Sequence, residues 1–280
     1  MVLHGTERID FRVCPLAHVS AKCEPSGDLT LHVQPTLKQY GKLTVTFSGE
    51  RKEVVGEGDV TFTLPKPKGP EAEGATPEKP LIETFDFEIT SGTLKQKISF
   101  TRSFFMDYEY WDCPVDELIS QMQYPGKESE FLRHGTGAQW YFGKSFDCGE
   151  IKKDGFFSHP PYLNGQGTVW SDMELDLAKI STKAIVFEAS VGKKNGSDPG
   201  DGIFFRLHVK DDAGKIAQVA ETHLLKHEWK TISADLSSWK DQKITLRLET
   251  NPGKNTAGDW GIWSEIYLRS LDKVPVFLVK

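Results

Sequence analysis

The stretch NPGKNTAGDWGIWSEIYL, residues 251–268, sets Trp260 and Trp263 beside Asp259 and Glu265. Side chains of these types support three kinds of chemistry. An indole offers an apolar face to the C–H side of a pyranose. Carboxylates gather a hard cation. Large rings also plug the end of a β-sandwich core. The two tryptophans stand three residues apart, so they cannot share one face of a regular strand. At least one is expected in the core; Trp260 is taken as the buried ring and Trp263 as the one offered to a ligand. The loop HPPYLNGQG, residues 159–167, adds Tyr162 between His159 and Asn164, an aromatic ring flanked by groups that can read hydroxyls. On GIFFRLHVKD, Arg206 and His208 alternate with Phe205 and Leu207, which makes one face of that segment polar. Those two would be the hydrogen-bonding partners if a ligand lay along a sheet rather than at the loops.

Other chemistries are poorly served. Glu174-Leu175-Asp176 begins the E-x-D-x-x-E run that places three acids in a glucanase cleft, but Lys179 stands where the last acid is needed. A retaining glycosidase needs two carboxylates about 5 Å apart, and no second candidate stands out. His227-Glu228 lacks the second histidine of a zincin, and neither G-x-S-x-G nor a phosphate-binding glycine loop occurs. The four cysteines (Cys14, Cys23, Cys113 and Cys148) have no C-x-x-C spacing, which argues against zinc and leaves free thiols and disulfides both open. The loop KKNGSDPGDG, residues 193–202, offers Asn195, Ser197, Asp198 and Asp201 as oxygen donors without EF-hand spacing.

The elements that must position these residues are strands. DLTLHVQP, GKLTVTFSG, DVTFTLP, FDFEIT and LKQKISF alternate apolar and polar residues between Gly, Pro, Asn and Asp turns. From about residue 136, AQWYFGKSF, TVWSDMELDL, KAIVFEASVG, GIFFRLHVKD, KIAQVAET, EWKTISADL, QKITLRLET and WSEIYLRSL continue the pattern. The fold class expected is all-β, with two tandem β-sandwiches. An immunoglobulin-like domain occupies 1–112, a short helical linker 113–135, and a jelly roll 136–280. The linker rests on PVDELISQMQY, with Pro114 at the first helical position. The Pro- and charge-rich residues 66–80 are expected to form an extended, mobile loop. A formal net charge of −6 argues against a nucleic-acid partner, and no apolar run reaches the length of a membrane span. MVLHGTERIDF lacks the apolar core of a signal peptide, which suggests a cytosolic protein or a piece of a larger secreted chain.

Residues 136–280 also carry a resemblance. FEASVG (187–192), the Asp201-Gly202 turn into a strand ending at Val209, Asp235 to Ser237, and D-W-x-x-W over 259–263 follow in order. This order resembles the galactose-binding-like jelly roll, in particular the carbohydrate-binding modules appended to bacterial glycoside hydrolases. The resemblance implies binding of an oligo- or polysaccharide, at loops or along a concave face. It implies a possible covalently linked catalytic domain in a longer chain, and an extracellular or cell-surface setting. Its site would combine His159, Tyr162, Asn164 and Trp263, with Arg206 and His208 on a sheet. Many such modules keep a structural calcium. If the first and last strands of the jelly roll pair, Glu174 and Glu265 meet, and with Asp259 they would need a cation between them. The competing readings are a β-sandwich glycosidase or lyase and a protein-interaction module.

Overall fold

The computed structural model describes residues 15–124, 127–131, 135–163, 165–197 and 200–280. The chain is all-β and divides into two units, one ending at Asp107 and completed by Lys273–Lys280, the other spanning Tyr108–Asp272.

In the first unit, period-two alternation decides which side chains face inward. Leu29, Leu31 and Val33 of LTLHVQP are all fully buried, as are Leu43 and Val45 of KLTVTF. The strands are β1 (Ala17–Cys23), β2 (Leu29–Pro35), β3 (Lys42–Phe47), β4 (Glu50–Val55), β5 (Gly58–Phe62), β6 (Leu81–Ser91) and β7 (Leu94–Asp107). A three-stranded sheet, β1-β2-β5, packs its apolar side against β7-β6-β3-β4 through Phe62, Phe87 and Ile89. Residues 66–80 depart from the expected loop. Pro70–Glu73 form a helical turn, Thr76 and Lys79 form a bridge, and Ala72 and Ala75 are buried against Phe104. Two small apolar side chains, three apart, suffice to dock a tract whose overall composition is polar.

The second unit holds β8 (Tyr110–Asp112), β9 (Ile119–Tyr124), β10 (Lys127–Phe131), β11 (Gln139–Cys148), β12 (Ile151–His159), β13 (Thr168–Asp176), β14 (Ile185–Lys193), β15 (Ile203–Lys210), β16 (Ile216–Leu224), β17 (Trp229–Asp235), β18 (Lys243–Asn251) and β19 (Gly261–Ser270). The front sheet runs β11-β12-β19-β14-β17, with β8 also on β19; the back sheet runs β10-β9-β13-β18-β15-β16. From β13 to β19 the chain repeatedly crosses between the two sheets, as in a jelly roll. Phe187, Phe205, Leu207, Leu246, Leu248 and Trp263 meet in the core with no exposure. Finally β20 (Val274–Val279) returns to pair with β7, so the first sandwich takes back the C-terminus that the sequence assigned to the jelly roll.

The expected helical linker is overturned. Only Val115–Glu117 make a 3-10 turn, and Ile119–Tyr124 become β9, paired with Thr168–Asp172 of β13. Met122 is fully buried there, so sheet pairing overrides helix propensity. The expected pairing of first and last strands also fails. Strand β13 lies between β9 and β18 in the back sheet, whereas β19 joins β12 and β14 in the front one. Cys23, Cys113 and Cys148 are free thiols; Cys14 lies outside the described residues.

Candidate functional site

The outer surface of the front sheet is built by register. Tyr141 of β11 pairs with Phe157 of β12, Phe157 with Ile262 of β19, Ile262 with Gly192 of β14, and Gly192 with Trp229 of β17. Phe156, one residue off, packs into the core, so Phe157 and His159 point outward. Aromatic rings collect on that side. Tyr141 stacks on Phe157 with centroids 5.1 Å apart, His159 lies 6.5 Å from Phe157, and Tyr162 lies 5.0 Å from His159. Trp260 adds its edge 6.5 Å from Phe157, with the Lys194 ammonium 5.0 Å over its own ring. Tyr141 and Tyr162 are about half exposed, at 49% and 47%, while Phe157 and His159 are buried beneath them.

The loop after β12 is held for this purpose. The backbone N–H groups of Tyr162 and Leu163 both donate to the Thr136 carbonyl, at 3.0 and 2.9 Å. The Tyr162 ring lies across Gly137, whose φ is 78°, and a Cβ there would collide with the ring. His159 Nδ1 is 2.6 Å from the Pro160 carbonyl, a contact that suits an Nδ1–H donor. Burial lowers the His159 pKa, with the Pro160 carbonyl opposing it in part, so its ring is an uncharged part of the aromatic row.

The sequence expectations fare unequally. His159 and Tyr162 come together as expected, and Asn164 lies outside the described residues. Trp263 is corrected: it has no exposure, faces Phe205 edge-on at 5.3 Å, and donates its indole N–H to Thr250 Oγ1 at 3.0 Å. Its partner in β12 is Phe156, which fixes it on the core side. Trp260, in the preceding loop, is the half-buried ring at the outer surface.

Arg206 and His208 lie on the back sheet, apart from the aromatic row. Arg206 donates to Glu221 at 2.6 Å and to Glu249 at 3.3 Å, and His208 Nε2 is 3.3 Å from Glu249 without hydrogen-bond geometry. Beside them Arg247 grips Asp172 through two bonds and covers the Trp170 ring at 4.4 Å. Burial raises the Glu249 pKa, but His208 and Arg206 outweigh it and hold the carboxyl below its usual range. A ligand on this face would have to displace those pairs. A polar groove of about 460 Å³ opens at one end of the back sheet, lined by Glu174, Asp176 and Asp211 together with Lys179, Lys210 and Lys243.

The expected calcium set of Glu174, Asp259 and Glu265 does not fit. Glu174 is exposed on β13 of the back sheet. Glu265, on β19, is bound by Lys153 and by Ser190 Oγ at 2.6 Å; burial raises its pKa, but these partners draw it below the usual range. No group of three metal-ligating side chains occurs among the described residues. Asp259 differs from the other two. It has no exposure, and neither carboxylate oxygen has a hydrogen-bond partner. Burial pushes its pKa up to about 8, with Lys193 pulling it down and Asp201 pushing it further up.

Among the described residues, no helix is long and apolar enough to cross a membrane. No protein-family model and no curated protein matches the chain. Solved structures similar to it include the CBM22-1 and GH10 modules of endo-1,4-β-D-xylanase 10B from Clostridium thermocellum, complexed with xylohexaose, at 16% identity and TM-score 0.36. That match covers 59% of this chain and 29% of the xylanase, so the chain spans under a third of that protein. The CBM22-1 xylan-binding domain of a Paenibacillus barcinonensis protein matches at 13% identity and TM-score 0.34, over 56% of this chain and 96% of the domain. Tandem CBM51 modules of a Streptococcus pneumoniae family 98 glycoside hydrolase match at 12% identity and TM-score 0.32, over 59% of this chain and 48% of theirs. All three contain carbohydrate-binding modules.

Proposed function

We propose that the chain is a non-catalytic carbohydrate-binding module, an accessory part of a larger extracellular or cell-surface protein that acts on or displays glycans. The observation that carries this reading is the outward row Tyr162–His159–Phe157–Tyr141, extended by Trp260. Two half-exposed phenol rings, Tyr141 on β11 and Tyr162 on the loop after β12, offer flat apolar surface with a hydroxyl at the edge, which matches a pyranose with its apolar C–H face and polar rim. Buried Phe157 and His159 beneath them preorganise the surface, so little ordering entropy is lost on binding. Lys194 beside Trp260 and Gln139 opposite His159 stand at the rim as polar groups. The ligand is an oligo- or polysaccharide rather than a free monosaccharide, because the row is several rings long. Contacts of this kind are individually modest, and the expected Kd is roughly 10 μM to 1 mM, or about 4 to 7 kcal/mol.

A glycan array probed with the full chain tests the reading. It predicts binding to a set of related oligosaccharides and no response to nucleic acid. An array blank throughout, repeated with polysaccharides in affinity gels, contradicts it.

A further inference from the structure

We infer that the first unit carries a small-molecule site of its own, a cleft that takes a compact apolar acid such as an aryl or medium-chain carboxylate. The cleft, of about 560 Å³, is lined by β7, β20 and the tract leading into the Pro70–Glu73 turn, all within that unit. Small-ligand sites span roughly 300 to 1,000 Å³. The walls are mainly apolar, with Phe104 and Met106 from β7, Phe277 from β20, and Pro67. Phe104 is buried and tilts against Phe277 at 5.2 Å, whereas Met106 and Phe277 keep part of their surface open.

These walls are fixed. Arg102, fully buried, donates from Nη1 to the Gly27 carbonyl at 2.8 Å and from Nη2 to Glu83 at 2.7 Å and to the Pro65 carbonyl. Its guanidinium also lies 5.1 Å from the Phe277 ring centre. One side chain thus ties the turn between β1 and β2, the start of the 65–68 tract and the aromatic wall together. Gly27, at φ 89°, makes room for the Phe277 ring, since a Cβ there would stand 2.8 Å from it. Ala72 and Ala75 dock the far end of the tract against Phe104. A preformed cleft loses little ordering entropy when it is filled.

Charge decides the sign of the ligand. Lys66, Lys68 and Lys273 line the cleft against one acid, Glu73. Lys66 and Lys68 are exposed, and neither has an ion-pair partner among the described residues. Ammonium groups only donate hydrogen bonds, so an apolar cleft edged by three of them favours an apolar body with one anionic, accepting group. The cleft shares no residue with the aromatic row and is independent of what that row binds.

The test uses the full chain carrying carbon-13 at its methionine methyls, titrated with 2-naphthoate as the probe. Met106 is the reporter, Met122 and Met173 of the second unit are the controls, and Met106→Leu assigns the signal. The Met106 methyl should shift with one-site saturation and a Kd of about 10 to 500 μM, while Met122 and Met173 stay in place. Lys66→Glu/Lys68→Glu, at exposed positions, should weaken binding roughly five- to twentyfold with an unchanged circular dichroism spectrum. Uncharged naphthalene-2-methanol should bind more weakly than the acid, and raising salt from about 0.02 to 0.5 M should narrow that gap. A Met106 methyl that does not move at millimolar 2-naphthoate overturns the proposal, as does an undiminished affinity in the double variant or for the alcohol. Shifts at Met122 or Met173 in place of Met106 would put the acid on the second unit and overturn it as well.

Discussion

Trp263→Ala separates the two roles that tryptophan can play at this end of the sandwich. The ring has no exposure, packs edge-on against Phe205 and donates its N–H to Thr250 Oγ1, which also bonds Ser158 Oγ at 2.8 Å. Truncating a buried tryptophan costs about 3 to 5 kcal/mol. Thr250 keeps Ser158 but loses the indole, which adds about 0.5 to 1 kcal/mol. The expected loss is therefore about 3.5 to 6 kcal/mol, large against the roughly 5 to 15 kcal/mol of a typical domain. Urea unfolding followed by tryptophan fluorescence is a clean assay, because all seven tryptophans, from Trp111 to Trp263, fall within the second unit. Trp260→Ala, at the half-buried ring, should cost less than about 1.5 kcal/mol in the same assay. If Trp263→Ala loses under about 1.5 kcal/mol, or Trp260→Ala proves the costlier, the inward and outward assignment from β12–β19 register is wrong.

Gly137→Ala should destabilise the second unit by about 1 to 2 kcal/mol and also weaken glycan binding, since the new Cβ meets strain at positive φ and displaces Tyr162. Glu249 has a lowered folded pKa, so its contribution to stability is present above the ordinary glutamate range and lost as pH falls through the lowered value. Glu249→Gln should therefore narrow the stability gap between neutral and acid pH, and unfolding curves at pH 7 and pH 3 with an unchanged gap would contradict this. Burial pushes the Cys113 and Cys148 thiols up to about 12, so mass spectrometry after thiol labelling at neutral pH should find both unmodified until denaturant is added.

The strand pattern was largely legible because alternation follows directly from which face meets the core. FFRLHVK and TLRLET fall on β15 and β18 as expected, with Leu207 and Leu248 inward. What escaped were segments whose pattern is masked by local composition. ERKEVV of β4 is mostly charged, and IKKDGFFSH of β12 opens with Ile-Lys-Lys-Asp-Gly, yet β12 carries Phe157 and His159 and so organises the candidate site. Tyr141 was visible within AQWYFGKSF, but only its pairing with Phe157 brings it to the His159 side. The exchange of roles between Trp260 and Trp263 has the same origin. Spacing says that they face apart, while only the register of β19 against Phe156 says which one faces inward. Likewise Glu174 and Glu265 were brought together by an assumed strand neighbourhood, and strand order is a non-local property that alternation does not encode.

The central claim is that the Tyr162–Tyr141 surface of the front sheet binds a glycan. Its most direct test is a calorimetric titration of the wild type and of Tyr162→Ala with the strongest oligosaccharide from the array, each protein also checked by urea unfolding. The account predicts that Tyr162→Ala weakens binding at least tenfold, a loss of about 1.4 kcal/mol or more, while its stability changes by less than about 0.5 kcal/mol. Binding that persists unchanged in a folded Tyr162→Ala would place the glycan elsewhere and contradict the account.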